Sequence, residues 1–336
     1  MPWRALLVAV LVALAPASAA AATHLTIEVN GDLLIHEPIW ERARALAGGH
    51  GYAFAPLLRR VRPWIRGADL AFCHVETPMA PGAPSGYPVF RTPPALARAI
   101  HRTGWDACST ASNHTVDQGQ SGVDSTLRAL NRYGVRHAGS APSAARARHI
   151  TILGAKGVKV ALLAYTEMTN GIAPPHPWSV NLARADRIIR DAARARRAGA
   201  QAVIVNLHWG TEFQSAPSTF QRTLVRRLAH SDDITAIVGQ HVHVVQPIRR
   251  HKGRWIVYGE GNLLSNQTSA CCPAAAQDGM LVLLDLVVGD RARVNRIRYV
   301  PTYVRHPDYT VLPAHGASRR RTVRVVGHGP HLRPLR

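Results

Sequence analysis

His208, His241 and His243 each fall just after an apolar run with the length and composition of a buried strand. The runs are QAVIVNLHWG for the first and DITAIVGQHVHVVQP for the pair. Other runs of the same kind also end on polar residues. Asp32 follows HLTIEVNG, Glu76 closes ADLAFCHVE, Asn113 and His114 follow WDACSTAS, and Asn262 follows GRWIVYGEG. Open α/β sheets bind ligands outside the carboxyl ends of their strands, so polar side chains from neighbouring strands converge there. Imidazoles, carboxylates and an amide oxygen, with no thiolate, suit a borderline divalent cation such as Zn, Mn, Fe or Co. Two such ions about 3.5–4 Å apart would clamp the attacking and leaving oxygens of a hydrolytic displacement. Asp32, Glu76, Asn113, His208, His241 and His243 are therefore the expected metal ligands. His114 is the expected catalytic group, protonating a leaving group or binding an anionic transition state.

Each residue also has a structural reading. A strand-end histidine often only makes a hydrogen bond. Asp32 could cap a helix beginning near Ile35, Asn113 could hold a tight turn, and Glu76 could be a solvated loop residue. Their coincidence at so many strand ends favours the site. His36, His74, Glu212 and Glu260 are secondary candidates, His36 because it lies four residues past Asp32.

The elements that must position these groups are legible as alternating patterns. Strand-like runs alternate with helical ones such as PPALARAIHRTG, GVDSTLRALNRYG, ADRIIRDAARARRAG and FQRTLVRRLAHS. ITILGAKGVKVALLAYTE reads as a hairpin turning at Ala-Lys-Gly. Alternation through the first two thirds argues for parallel strands, and the strand-rich end for a second or mixed sheet. Residues 80–94, 171–178 and 266–279 read as long loops rich in Pro, Gly or small residues.

Residues 1–22 carry Arg4, an apolar run and Ala-x-Ala sites, which is the pattern of a secretory signal peptide. Export to the cell envelope or beyond is the expectation, with anchoring through an uncleaved leader as the alternative. No later segment is apolar enough to span a membrane. Of 336 residues, 41 are Lys or Arg against 20 Asp or Glu, giving a net charge of +21, almost all of it from arginine. Such a charge suits anionic partners, and equally a GC-rich genome that uses arginine codons freely. No nucleic-acid motif accompanies the charge, and export argues against that partner. The four cysteines lack zinc-site spacing. Export permits disulfides of unspecified pairing, while Cys73 and Cys108 read as buried apolar fillers. Residues 307–336, with Arg319–Arg320–Arg321, read as a loosely ordered basic tail after a domain over residues 23–306.

In this order GD, ADLAFCHVETP, ASNHTVDQGQSGVDSTLRAL, HWGTEF, GQHVHVVQP and VYGEGNLL resemble the capsule-synthesis CapA family (PgsA-like, of poly-γ-glutamate biosynthesis), a branch of the calcineurin-like metallophosphoesterases. The resemblance covers roughly residues 24–300. It implies a four-layer α/β/β/α sandwich with mixed sheets and a two-metal site (Mn, Zn or Fe) at one sheet edge. Asp32, Glu76, Asn113, His208, His241 and His243 match the metal positions, and His114 the position beside the metal-binding Asn. It also implies a phosphoester or anionic polymer as substrate, with capsule-synthesis proteins as partners. Three motifs depart from the pattern. The superfamily's D-x-H reads Asp32-Leu33-Leu34, the family's Asn-Leu-Glu reads His74-Val75-Glu76, and Y-S-x-G-N reads Tyr258-Gly259-Glu260-Gly261-Asn262. One ligand is thus missing or supplied elsewhere. A non-catalytic polymer-handling factor that keeps the fold is the rival expectation.

Overall fold

The computed structural model describes Met1 and residues 22–335. The leader expected over residues 1–22 lies, apart from its end residues, outside them. The chain opens with β1 (Thr23–Leu33), α1 (Glu37–Leu46), α2 (Arg62–Arg66), β2 (Leu70–Val75), α3 (Ala95–Thr103), β3 (Ala107–Ser109), α4 (Gly119–Arg132) and β4 (Arg136–Ala138). It continues through α5 (Ala144–Ala147), β5 (Thr151–Ala155), β6 (Val158–Thr166), α6 (Ala185–Arg197), β7 (Ala202–His208), α7 (Thr219–Leu228) and β8 (Ala236–Gln240). It closes with β9 (Ile248–His251), β10 (Arg254–Val257), β11 (Asn262–Leu264), β12 (Asp278–Val288), β13 (Ala292–Arg305), β14 (Thr310–Pro313), α8 (Gly316–Val326) and β15 (Leu332–Pro334).

These strands form two mixed sheets. The first runs β14-β13-β12-β1-β2-β3-β4, with β11 beside β1 and β15 beside β13. The second runs β5-β6-β7-β8-β10-β9. Strands β1 to β4 are parallel, as are β6, β7, β8 and β10; the antiparallel pairs sit at β12–β14 and at the edges of the second sheet.

Strand periodicity explains the layers. Ile204 and Val238 face inward and meet Ile27, Val29, Phe72 and Val282 of the other sheet. The alternate residues Val203, Val205 and Ile237 face out onto Ile188 of α6 and Leu224 and Leu228 of α7. On the first sheet, Ala71 and Cys73 face Ile39, Ile65, Leu96 and Ile100 of α1, α2 and α3. Helices, sheet, sheet, helices is the four-layer α/β/β/α arrangement expected. Strands buried on both faces must be apolar throughout, hence runs such as AVIVNLH.

Two expectations are corrected. Cys73 and Cys108 are buried, but they are joined as a disulfide rather than being separate fillers, and Cys271 is joined to Cys272. The first pair is directly opposed in the β2–β3 register, with Cα atoms 4.4 Å apart. Residues beyond 306 are not a loose tail. β14 and β15 pair with β13, and Ser318 and Arg321 of α8 bond the buried Asp278 carboxylate at 2.6–2.9 Å. A short helix rich in arginine shows little apolar period, yet Val326 is buried against the intersheet core. Among the described residues, no helix is long and apolar enough to cross a membrane.

Candidate metal centre

The carboxyl ends of β1, β2, β7 and β8 open toward one place. Asp32 lies at the end of β1, opposite His74 of β2 and Asn262 of β11. It belongs to the strand and does not cap a helix: α1 begins at Glu37. Its backbone can approach β11 because residue 31 is glycine; a Cβ there would lie 1.9 Å from the Gly261 carbonyl oxygen. The Asp32 carboxylate is fully buried and lies 3.7 Å from His208 Nδ1 and 3.3 Å from His243 Nδ1, and it accepts the His241 N–H at 3.3 Å.

Glu76 is also buried, not solvated, with Oε1 3.8 Å from His208 Nε2 and 3.6 Å from His243 Nε2. Asn113 Oδ1 accepts from His208 Nε2 at 2.8 Å. His241 and His243 follow β8 with φ of 91° and 55°, both in the left-handed region that side chains with a Cβ seldom adopt. The turn buries Val242 between them, and its carbonyl accepts the Phe213 N–H. Asn262 accepts from His243 Nδ1 at 3.0 Å and is itself anchored to the Ala276 carbonyl. Every predicted ligand is thus brought to one buried cluster.

Among the described residues three groupings bring ligand atoms within 4.8 Å of one another: Asp32, Glu76 and His243; Glu212, His241 and His243; and Asp32, His74 and His208. Glu212 reaches the cluster from the exposed side. His36 accepts the Asn266 N–H at Nδ1 and meets the Phe90 ring edge-on at 5.5 Å. Glu260 lies behind the site, bonded to Gln240 at 2.7 Å.

The electrostatics fit a cation. Both Glu76 carboxylate oxygens, His208 Nδ1 and His241 Nδ1 are buried without a hydrogen-bond partner. Orphaned buried acceptors are costly, about 1–3 kcal/mol each, unless something else satisfies them. Burial pushes His241 down to about 3 and His208 down as well, leaving both neutral with a free lone pair. Burial also pushes the Glu76 carboxyl up. For His243 the effect of burial is outweighed by the Glu76 and Asp32 carboxylates, which hold it up at about 9. A divalent ion would take the place of that proton.

His114 stands beside the cluster. Its Nδ1 donates to Asp117 Oδ2 at 2.8 Å, and the same oxygen accepts the Phe90 N–H. The Phe90 ring meets the imidazole edge-on at 4.7 Å. Asn170, with φ of 51°, places Oδ1 3.2 Å from Asn113 Nδ2 and Nδ2 3.4 Å from His114 Nε2. Asp117 and Asn170 join the site beyond the residues expected from the sequence. Asp117 had a signal, lying three residues after His114. Asn170 had none, since it comes from a loop of the second sheet.

The chain has the fold of calcineurin-like phosphoesterases and carries a candidate divalent-metal site. The phosphoesterase YfkN from Bacillus subtilis shares the fold at a TM-score of 0.53 and 12% identity, over 90% of this chain and 96% of that one. Within that class the chain belongs to the family described as "Bacterial capsule synthesis protein PGA_cap", which matches residues 26–267. The capsule biosynthesis protein CapA of Bacillus anthracis is 26% identical over 78% of this chain and 66% of its own length. The PGA biosynthesis protein CapA of Bacillus subtilis (strain 168) is 30% identical over 47% and 42%. The chain therefore spans less than two thirds of these curated relatives.

Proposed function

We propose that this chain is an exported, divalent-metal-dependent hydrolase of capsule or poly-γ-glutamate synthesis that cleaves an ester or amide bond of an anionic extracellular polymer. The observation that carries the reading is the convergence of Asp32, Glu76, Asn113, His208, His241 and His243, from both sheets, beside the His114–Asp117 pair. The leader-like residues 1–22 and the +21 charge support export and an anionic substrate. Asp32, Glu76, Asn113, His208, His241 and His243 would hold two ions of Mn, Zn or Fe.

Bound metal supplies Lewis-acid polarisation of the scissile group and offsets the negative charge that develops on it. The chain's own residues do the rest. Asp117 accepts from Nδ1 and would stabilise the imidazolium form of His114, whose Nε2–H could then pass its proton to the departing group. Asn170 fixes the position of that nitrogen. Phe90 shields one face of the imidazole from water.

The test is metal content and turnover of an aryl phosphodiester by purified protein. Bound metal, with turnover lost in His208→Ala and His241→Ala, is the expected result. Absence of metal, with both variants folding like wild type, would sink the reading. A second reading is a polymer-handling factor that keeps the fold and the metal. It is favoured by Leu34 at the D-x-H position, and predicts bound metal with no turnover of esters or polymer amides.

A further inference from the structure

His74 is the buried group that the proposed chemistry leaves unused. It lies on β2 directly opposite Asp32 in the strand register. Its side chain is fully buried, its Nε2 is 3.6 Å from Asp32 Oδ1, and its ring stacks on His208 with centroids 4.8 Å apart. Neither nitrogen has a hydrogen-bond partner. Asp32, His74 and His208 each offer a ligand atom, all within 4.8 Å of one another. A neutral imidazole has one N–H to donate and one lone pair to fill, and a buried one with both unmet is a rare arrangement. A cation between Asp32, His74 and His208 would occupy the lone pair and account for the parallel stacking of two histidines against one carboxylate.

The position that would carry an imidazole in a D-x-H motif is Leu34, a buried aliphatic two residues beyond Asp32. We infer that His74 is a metal ligand that replaces, from β2, the imidazole absent at position 34, so that this chain holds one ion with Asp32, His74 and His208 and keeps a complete centre despite the altered motif. The inference rests on the metal reading above, and it moves one ligand from the first strand to its parallel neighbour.

The experiment titrates Mn²⁺ into EDTA-stripped full-length protein, followed by calorimetry and electron paramagnetic resonance. Wild type should take two ions with a spin-coupled signal. His74→Asn, checked by circular dichroism and melting, should lose at least about 100-fold in affinity at one site, beyond the about 10–100-fold of an outer-shell change. Its signal should become that of isolated Mn²⁺. Leu34→His added to His74→Asn should return the second ion. A folded His74→Asn protein that takes two ions with wild-type affinity overturns the inference while leaving the metal reading intact. Wild type that takes no Mn²⁺ overturns both. If His74→Asn does not fold, zinc-edge diffraction from wild-type crystals grown with Zn²⁺ decides. Zinc about 2.0–2.1 Å from a His74 nitrogen supports the inference, and zinc held only by the other residues removes it.

Discussion

At the scale of single residues, the proposed chemistry assigns the ions to the buried cluster and the proton to His114. His114 contacts Asp117, Asn170 and Phe90, whereas the six predicted ligands contact one another. His114→Gln is expected to lower turnover about 10²–10⁴-fold with metal content unchanged, as read by elemental analysis beside kinetics. Asp117→Asn should fall between that variant and wild type. His243 gives a pH signature. Its folded value of about 9 means that a proton must leave before an ion binds. Apparent Mn²⁺ affinity should therefore rise by up to about tenfold per pH unit as pH climbs toward 9, then level off, because binding releases a proton. Calorimetry in buffers of different ionisation enthalpy would count that proton. Flat affinity between pH 7 and 9 would contradict the charge state drawn from Glu76 and Asp32.

Among the elements, the strand ends were readable before any coordinates because a strand buried on both faces leaves an unmistakable apolar run. Polar residues at or just beyond its carboxyl end then mark the rim. Hence Asp32, Glu76, Asn113, His208, His241 and His243 could be picked out one by one. Which strands lie side by side is set by tertiary packing, and no local spacing encodes it. The Cys73–Cys108 bond and the opposition of Asp32 to His74 both depend on that register. Asn170 and the packing of α8 escaped for a similar reason: their partners lie far along the chain. The disulfide closes a loop with a sequence separation of 35, which corresponds to about 4 kcal/mol of lost unfolded-chain entropy. Urea midpoints with and without reductant should show a loss of that order, and Cys108→Ala should match the reduced protein. A tighter constraint acts at Gly239, where a Cβ would lie 2.2 Å from the Tyr258 carbonyl oxygen and 2.3 Å from Trp209 Nε1. Gly239→Ala should destabilise by about 1–3 kcal/mol or more through overpacking, visible as a lower urea midpoint.

For the molecule as a whole, charge and topology set the expectations. Arg59, Arg62, Arg66, Arg98 and Arg102 line one recess beside α2 and α3, with no carboxylate among its lining residues. Retention of polyglutamate by the full chain should therefore weaken steeply between about 50 and 300 mM salt, and should survive His208→Ala. Ending the chain at residue 306 would strip β14, α8 and β15 from the first sheet and leave Asp278 buried without Arg321 and Ser318. Melting should fall by roughly 10 °C or more, at about 2–4 °C per kcal/mol for a chain of this size. The first strand has a further consequence. β1 sits in the middle of its sheet, and Thr23 pairs opposite Val288, so its antiparallel neighbour is made long after it. Contacts so distant in sequence form slowly, because a long loop must close before they are rewarded. A ribosome-bound chain that stops before β12 cannot close this sheet around β1, so the sheet's two halves join only after β12 has emerged.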